Sequence, residues 1–318
     1  MTAGGVAAPH ATRARVRVPC STSNLGGGFD CVGVALDRWL VAEAWVELEG
    51  APTFVRGGTL TELDAAGVGA DEDLVVRGAR LACAATGRLL PAGFSVAASS
   101  AVPVGRGLGS SAAALAAGAL LADALFGLAL GARRVAALCA GEEGHPDNAA
   151  PMLLGGAVLG VPAACEGGWA FAPLAVHADV GFALAVPEFG TSTRAMRAAL
   201  PAAVPHRDAV AAAGKGAALV RGLAAGDGTL LAYALEDVLH VPYRRALVPG
   251  YDAVVAAAAG AGAWGATLSG AGSSVVALAP RGRAGEVAEA MAAAWRSAGT
   301  AAEGWAAAVA GGADAETA

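Results

Sequence analysis

Hydrophobic and polar residues alternate along the first third of the chain with two periods, one typical of strands and one typical of helices. Residues 13–19 alternate polar and apolar side chains, which predicts a strand that Pro19 ends. Residues 93–102 show the same period and predict a second strand. Residues 73–86 carry apolar side chains at helical spacing after an acidic start, which predicts a helix. Residues 50–70 show no sustained period and predict a loop.

The second half of the chain has the same mixture of periods and no internal repeat. Residues 170–175 and 181–187 predict strands, and a glycine-rich turn at residues 268–274 separates two more. Helical periods cover residues 193–200, 206–223, 230–240, 251–260 and 285–298. The tail after about Gly311 has no pattern, so we expect it to be disordered.

The length of the chain favours two soluble domains. Its 318 residues exceed the size at which single cores usually stop growing, about 250–300 residues. The composition changes near residues 165–168, so we predict an N-terminal domain over residues 1–165 and a C-terminal domain over residues 166–318. The apolar stretch at residues 108–130 contains Asp123, which would cost about 2.5–3.5 kcal/mol near the centre of a bilayer. We therefore expect a buried helix there and no membrane partner.

Charge and cysteine content exclude further classes of protein. The net charge of −6 argues against a broad nucleic-acid surface, which would show clustered basic residues. The five cysteines are odd in number and lack C-x-x-C spacing, so neither a disulfide framework nor a zinc site is indicated. The first residues lack the apolar block of a secretory signal. We expect a cytoplasmic protein that binds no nucleic acid.

Residues 103–114 combine three glycines at alternate positions with an alanine-rich run that follows directly. Glycine allows positive φ and close approach of a ligand, and the first turn of a helix offers unpaired N–H groups, so this segment suits a phosphate. A glycine-rich turn capped by Ser110 or Ser111 is the alternative interpretation. Lys215 is the sole lysine, so arginines, backbone amides and a metal must replace the lysine of a P-loop.

Three polar, glycine-rich segments stand apart along the chain. They cover residues 19–30, 103–112 and 268–272. With these motifs in this order, the sequence resembles the GHMP family of small-molecule kinases. Three further segments make it most similar to the branch of that family that phosphorylates L-homoserine. They cover residues 143–148, 192–197 and 239–244.

The resemblance implies an α+β fold of two domains. The N-terminal α/β domain would contain a left-handed βαβ unit, the C-terminal domain would be ferredoxin-like, and ATP and substrate would bind between them. It further implies Mg²⁺-ATP-dependent phosphorylation of the hydroxyl of L-homoserine to O-phospho-L-homoserine, a step of threonine biosynthesis. A homodimer is an expectation of the family. Another kinase of the family, acting on a different alcohol, and a non-catalytic ligand sensor are the alternatives.

The resemblance also assigns the nucleotide and the metal. The ATP phosphates would lie against Pro103, Val104, Gly105, Arg106, Gly107, Leu108, Gly109, Ser110 and Ser111. Ser111 and Glu143 would hold Mg²⁺, with Glu142 as the alternative ligand because spacing alone does not separate the two acids. Asp73 stands where an asparagine commonly helps to hold the adenine.

The substrate-binding residues implied by the resemblance come from both predicted domains. They are Asn24, Asp30, Asn148, Thr193, Arg197, Arg244 and Gly270. Arg197 and Arg244 would hold the carboxylate, since a guanidinium presents a planar fork that matches it. Asp30 and Asn24 suit the ammonium group.

The catalytic candidates are Asn148, His145 and Asp147. Asn148 would lie near the reacting hydroxyl, but an amide cannot take a proton at neutral pH. We therefore expect the hydroxyl to attack while its proton passes to the transferred phosphate or to solvent. His145 or Asp147 acting as a general base is the alternative.

Overall fold

The computed structural model describes residues 5–49, 51–165 and 167–318, which form two β-sheets covered by helices. The strands are β1 (Arg13–Ser23), β2 (Val32–Val46), β3 (Phe54–Gly58), β4 (Phe94–Ser100), β5 (Ala157–Pro162), β6 (Trp169–Leu174), β7 (Val180–Pro187), β8 (Gly265–Leu268), β9 (Val275–Pro280), β10 (Ala302–Ala307) and β11 (Asp314–Thr317). The helices are α1 (Thr61–Ala65), α2 (Leu74–Ala85), α3 (Ser110–Phe126), α4 (Gly131–Glu143), α5 (Ala149–Leu154), α6 (Thr193–Ala198), α7 (His206–Ala225), α8 (Gly228–Leu235), α9 (Val241–Arg244), α10 (Tyr251–Gly260) and α11 (Ala284–Ser297).

The first sheet has the strand order β11-β1-β2-β4-β3, and β5 and β6 continue from β2. Its neighbours are antiparallel except β3 and β4, which are parallel. A parallel pair needs a crossover connection, and α1 and α2 supply it here. The two strands and the helices between them form a βαβ unit in the N-terminal domain, as expected, and its left-handed crossing stays a prediction.

The second sheet has the order β10-β7-β9-β8, with antiparallel neighbours throughout. Numbered within the domain, this order is 4-1-3-2, with helices between the first and second strands and between the third and fourth. The expectation of a ferredoxin-like C-terminal domain is therefore confirmed. Its core packs α10 and α11 onto the sheet through Val254, Met291 and Trp295.

Helix α3 lies in the core of the N-terminal domain and leads away from the glycine loop. It crosses α2 so closely that a Cβ on Gly118 would lie 1.8 Å from the Val75 carbonyl oxygen, and one on Gly78 would lie 2.0 Å from that of Leu115. Small residues make this approach of two backbones possible. The expectation of a buried helix is confirmed, and no helix in the described part of the chain is long and apolar enough to span a membrane.

Two local predictions near the N-terminus are wrong. Strand β1 does not end at Pro19 but continues for four more residues, to Ser23. Its pairing with β2 shifts register between Pro19 and Cys20, and a strand can accommodate a proline at such a bulge. Residues 50–70 are not a loop, since they contain β3, paired with β4, and the short helix α1. Residue 50 itself lies outside the described residues.

The prediction of a disordered tail is also wrong. Strand β11 pairs with the outer edge of β1, in register Val16 to Ala315. All four of its residues are exposed, so the strand is held by main-chain hydrogen bonds that a hydropathy pattern does not register.

The first sheet thus takes strands from beyond the N-terminal half of the chain. Both β6 and β11 belong to it, so the change from one sheet to the other falls between Leu174 and Val180. The predicted boundary at residue 165 separates β6 from its partner β5. Residues 1–4 and 166, which the predicted domains include, lie outside the described residues.

Candidate active site

A cavity of about 400 Å³ is lined by side chains and loops from both sheets. Its central wall is the glycine loop before α3, contributed by Val104, Gly105, Gly107, Gly109, Ser110 and Ser111. One end is apolar, and the other end holds the two predicted arginines. The sequence motifs therefore converge on one place in the fold.

The three glycines of the loop all have positive φ: 69° at Gly105, 74° at Gly107 and 68° at Gly109. This conformation is costly for other residues, which explains the alternate spacing in the sequence. Helix α3 begins at Ser110, so its first turn directs unpaired N–H groups toward the cavity wall. Gly109, not Ser110 or Ser111, occupies the position before the helix, and no side chain caps it.

The third glycine-rich motif fixes the loop from behind. The Ser269 hydroxyl donates to the Gly107 carbonyl at 2.7 Å and lies 2.9 Å from the Thr22 hydroxyl. The Gly270 N–H donates to the Ser23 carbonyl at 2.9 Å. A Cβ on Gly107 would lie 2.1 Å from the Ser269 carbonyl oxygen, so the two loops touch through their backbones. All three motifs thereby form one structural unit.

Three residues predicted to contact the phosphates are not among those that line the cavity: Pro103, Arg106 and Leu108. The Arg106 guanidinium donates to Glu62 at 2.8 Å and to the Glu188 carbonyl at 2.6 Å. Leu108 is fully buried in the core. Alternate residues of the loop thus face away from the cavity, where they anchor it.

Glu143 faces the cavity and Glu142 does not. The Ser111 hydroxyl donates to Glu143 Oε1 at 3.3 Å, while Oε2 is buried without a partner among the described residues. Burial raises the pKa of Glu143 to about 7. Glu142 forms an ion pair with Arg77 outside the cavity. An orphaned carboxylate oxygen beside a hydroxyl suits a divalent cation, since hard cations prefer oxygen ligands.

His145, Asp147 and Asn148 form a connected group at the N-terminal end of α5. His145 Nδ1 lies 2.6 Å from Asp147 Oδ1, to which Asn148 Nδ2 donates at 3.2 Å. The Ser21 hydroxyl donates to Asn148 Oδ1 at 2.9 Å. Burial alone would lower the pKa of His145, but the hydrogen bond and charge of Asp147, together with the charge of Glu143, raise it. His145 and Asn148 line the cavity, whereas Asp147 is buried and does not line it.

Arg244 is a buried cation at the polar end of the cavity. Its side chain is 1% exposed, and Nε donates to the Met196 carbonyl at 3.0 Å. Nη1 is buried and has no partner, and Arg244 makes no ion pair within the described parts of the chain. Burial and the neighbouring charge of Arg197 lower the pKa of Arg244. The nearby carboxylates of Asp30, Asp237 and Asp147 counteract this lowering of the pKa without forming an ion pair with Arg244 among the described residues.

Arg197, in contrast, has a partner. Its Nη1 and Nη2 donate to the two carboxylate oxygens of Asp30 at 2.9 and 2.8 Å. Asp30 was expected at the ammonium group of the substrate, but here its carboxylate is directed to Arg197, and Asp30 is not among the residues that line the cavity. This pair neutralises both charges.

The other predicted substrate-binding residues line the cavity: Asn24, Asn148, Thr193, Arg197, Arg244 and Gly270. Asn24 and Asp30 both have positive φ, 57° and 54°, and Asn24 Oδ1 accepts from the Asp30 N–H at 2.9 Å. The segment between them contains a short 3-10 helix at Gly26–Gly28, and the hydrogen bond from the Asp30 N–H to the Asn24 side chain closes it into a turn.

The apolar end of the cavity was not predicted. It is lined by Phe54, Leu60, Leu63, Val68 and Leu74, most of which lie in the stretch read as a loop. These positions come from three elements, β3, α1 and α2, and from the connections between them, so no single period along the sequence marks them as one wall.

Asp73 lines the cavity beside these apolar side chains, and its contact with the adenine stays a prediction. Its Oδ1 accepts from the Val75 N–H at 2.7 Å and caps α2. Its Oδ2 accepts from Arg56 at 2.8 Å, and the Arg56 side chain is 3% exposed. Arg56 was not among the predicted site residues. Its guanidinium neutralises the Asp73 carboxylate, which stands where the family commonly has an asparagine.

Two family descriptions match the chain. Residues 73–156 match the N-terminal domain of the GHMP kinases, and residues 219–297 match the C-terminal domain of the GHMP kinases. The two matched segments contain the glycine loop and the Gly270 turn, which meet in the cavity.

Similar proteins cover nearly the whole chain. A homoserine kinase of Gloeobacter violaceus is 43% identical over 89% of this chain and 93% of its own length. A homoserine kinase of Trichormus variabilis is 40% identical over 89% of this chain and 92% of its own length. The crystal structure of a homoserine kinase from Cytophaga hutchinsonii, at 25% identity, superimposes with a TM-score of 0.84 over 96% of this chain and 98% of that one. A mevalonate kinase of L. major, at 16% identity, shares the fold with a TM-score of 0.69 over 96% of this chain and 99% of that one.

Proposed function

The chain belongs to the GHMP kinase family, and from this premise we propose that it is a homoserine kinase. It transfers the terminal phosphoryl group of ATP to the hydroxyl of L-homoserine and releases O-phospho-L-homoserine. Arg244 is the observation that carries the choice of substrate, because its guanidinium is buried at the cavity, its Nη1 has no partner among the described residues, and an unpaired buried cation is costly. The relatives named homoserine kinase, at about 40% identity, support the same substrate.

The two ends of the cavity suit the two substrates. The N–H groups of the glycine loop and of the first turn of α3 would hold the ATP phosphates, and the apolar wall beyond them would take the base. At the other end Arg244 and Arg197 would bind the carboxylate, and Asn24 and Asp30 the ammonium group. Binding of the zwitterion would replace the Arg197–Asp30 pair by two new pairs.

The residues present fit a magnesium ion between these ends. Ser111 and Glu143 would hold it, with the orphaned Oε2 of Glu143 as a ligand. When bound, the ion would neutralise negative charge on the phosphate oxygens. The same charge would keep Glu143 ionised at neutral pH, in spite of its raised pKa.

Asn148 and His145 would position the reacting hydroxyl. The Asn148 amide is fixed by Ser21 and Asp147, so its role is orientation, and it offers no base. Asp147 is directed at His145 and away from the cavity, which argues against its acting as a base. We infer that the proton of the hydroxyl passes to the transferred phosphate or to solvent. The pH–rate profile of His145→Ala tests this, since loss of an ionisation relative to Asn148→Ala would show that His145 is the base.

The reaction belongs to threonine biosynthesis, for which we propose a cytoplasmic location. All five cysteines are free, as suits a reducing compartment. We expect a homodimer on the basis of the family alone.

An ADP-release assay with a set of matched alcohols tests the proposal. L-Homoserine should support release with Mg²⁺-ATP, whereas 4-hydroxybutyrate, which lacks the ammonium group, and 3-amino-1-propanol, which lacks the carboxylate, should not. Release with a different alcohol and not with L-homoserine would contradict the substrate. No release with any alcohol would indicate a ligand sensor.

A further inference from the structure

His240 is fully buried and does not line the cavity. It contacts the segment from Asn24 to Asp30, and Asn24 does line the cavity. Its Nε2 lies 3.1 Å from the Asn24 carbonyl oxygen, and since a carbonyl can only accept, Nε2 carries the proton and donates. The ring stacks on Phe29, with centroids 4.9 Å apart and planes inclined by 20°. One side chain therefore holds the turn from Asn24 to Asp30 at two points.

The backbone around His240 is held by hydrogen bonds to the Asp237 side chain. The Asp237 carboxylate accepts from the N–H groups of Leu239, His240 and Val241 at 3.1, 2.6 and 2.6 Å. The His240 carbonyl accepts from the Arg244 N–H at 3.0 Å, and the Arg244 guanidinium lies 5.3 Å from the Phe29 ring. His240 thus directly precedes α9 and stands one helical turn from Arg244, the last residue of that helix.

The turn that His240 holds is one that needs support. Asn24 and Asp30 both adopt positive φ, which non-glycine residues keep only where their surroundings fix it. Asn24 and Arg244 both line the cavity, although they come from opposite halves of the chain. The distance between the Asn24 and Arg244 side chains therefore determines whether one small zwitterion can contact both of them.

We propose that His240 is a positioning residue for the amino-acid substrate: by donating to Asn24 and stacking on Phe29, it fixes the Asn24–Asp30 turn against α9 at the spacing that L-homoserine requires. This inference rests on the proposed function, and it assigns His240 no contact with the substrate. The hydrogen bond and the ring contact of the His240 side chain both go to this turn and not to the glycine loop, so the effect should fall on the amino acid.

His240→Phe keeps a buried ring but removes the donor, and His240→Gln keeps a donor at the place of Nε2 but removes the ring. The matched control is Trp295→Phe, because Trp295 is also fully buried in the C-terminal domain and donates to a main-chain carbonyl, that of Pro249, at 2.8 Å. For each variant the KM for L-homoserine, the KM for ATP and the melting temperature are measured.

We expect His240→Phe to raise the KM for L-homoserine about tenfold, because a buried carbonyl loses its partner and the turn shifts. The KM for ATP should stay within about twofold, and His240→Gln should recover much of the loss. Trp295→Phe should lower the melting temperature and leave both KM values unchanged, as expected of a residue with a purely structural role.

Equal changes of both KM values in His240→Phe, or no recovery in His240→Gln, would overturn the inference. If the phenylalanine variant fails to fold, Phe29→Leu takes its place, and an unchanged KM for L-homoserine would overturn the inference in the same way. A wild-type protein that does not phosphorylate L-homoserine would refute the proposed function instead, which separates the two failures.

Discussion

Replacement of Arg244 by methionine should stabilise the free protein and at the same time weaken its binding of L-homoserine. The guanidinium is buried, and its Nη1 has no partner among the described residues. An unsatisfied buried polar group costs about 1–3 kcal/mol, and replacement of a buried ionic group by an apolar side chain is often neutral or stabilising. The substrate carboxylate, in our account, removes that cost when it binds.

The two effects of this substitution have different sizes. Loss of the Nε bond to the Met196 carbonyl offsets part of the gain, so we expect the free energy of unfolding to rise by about 1 kcal/mol. Loss of charge-assisted hydrogen bonds to the substrate should cost about 3–4 kcal/mol, roughly two to three powers of ten in affinity.

Urea unfolding of the free protein and calorimetric titration with L-homoserine measure the two quantities separately. Arg197→Met is the matched control, because it leaves the Asp30 carboxylate without its partner and should weaken binding without any gain in stability. A methionine variant at Arg244 that is less stable than the wild type and binds L-homoserine normally would refute the reasoning.

Three further predictions follow from single contacts. Glu143→Gln should lower kcat by at least about a hundredfold at saturating Mg²⁺, whereas Glu142→Gln should resemble the wild type in steady-state kinetics. Gly107→Ala should raise the KM for ATP about tenfold, because its φ is 74° and the added Cβ would lie 2.1 Å from the Ser269 carbonyl oxygen; an unchanged KM would show that the loop is not the phosphate site. Burial lowers the pKa of His240 from 6.5 to about 4, so the unfolded chain gains a proton first as the pH falls. Stability should therefore decrease between about pH 6.5 and 4, by up to about 3 kcal/mol, and this contribution should vanish in His240→Phe when unfolding is followed across that range.

Local features of the sequence predicted the glycine loop and its helix because the physical cause is local. The alternate glycines take positive φ at successive turns of the backbone, and the helix after them begins where the alanine run begins. The distinction between Glu142 and Glu143 was not predictable, since it depends on how α4 is rotated against α2. Only the fold shows that Arg77 takes the first acid and Ser111 the second.

The errors have a common origin in contacts between distant parts of the chain. β11 pairs with β1 across almost the whole sequence, and the exposed tail residues carry no hydrophobic pattern that would reveal it. The apolar cavity wall takes Phe54 from β3 and Leu60 from the turn after it, so no single strand or helix period runs through it. The role of Asp30 at the ammonium group stays a prediction, and its ion pair with Arg197 is another contact between distant residues that only the fold shows.

Phosphorus-31 NMR of a reaction with Mg²⁺-ATP and L-homoserine tests the central claim most directly, because it distinguishes transfer to an alcohol from hydrolysis. Our account predicts a new phosphomonoester resonance coupled to the protons of a neighbouring methylene group, formed at the rate at which ADP accumulates, and absent in Arg244→Met at low concentrations of L-homoserine. Formation of inorganic phosphate alone, or of no product, would contradict it.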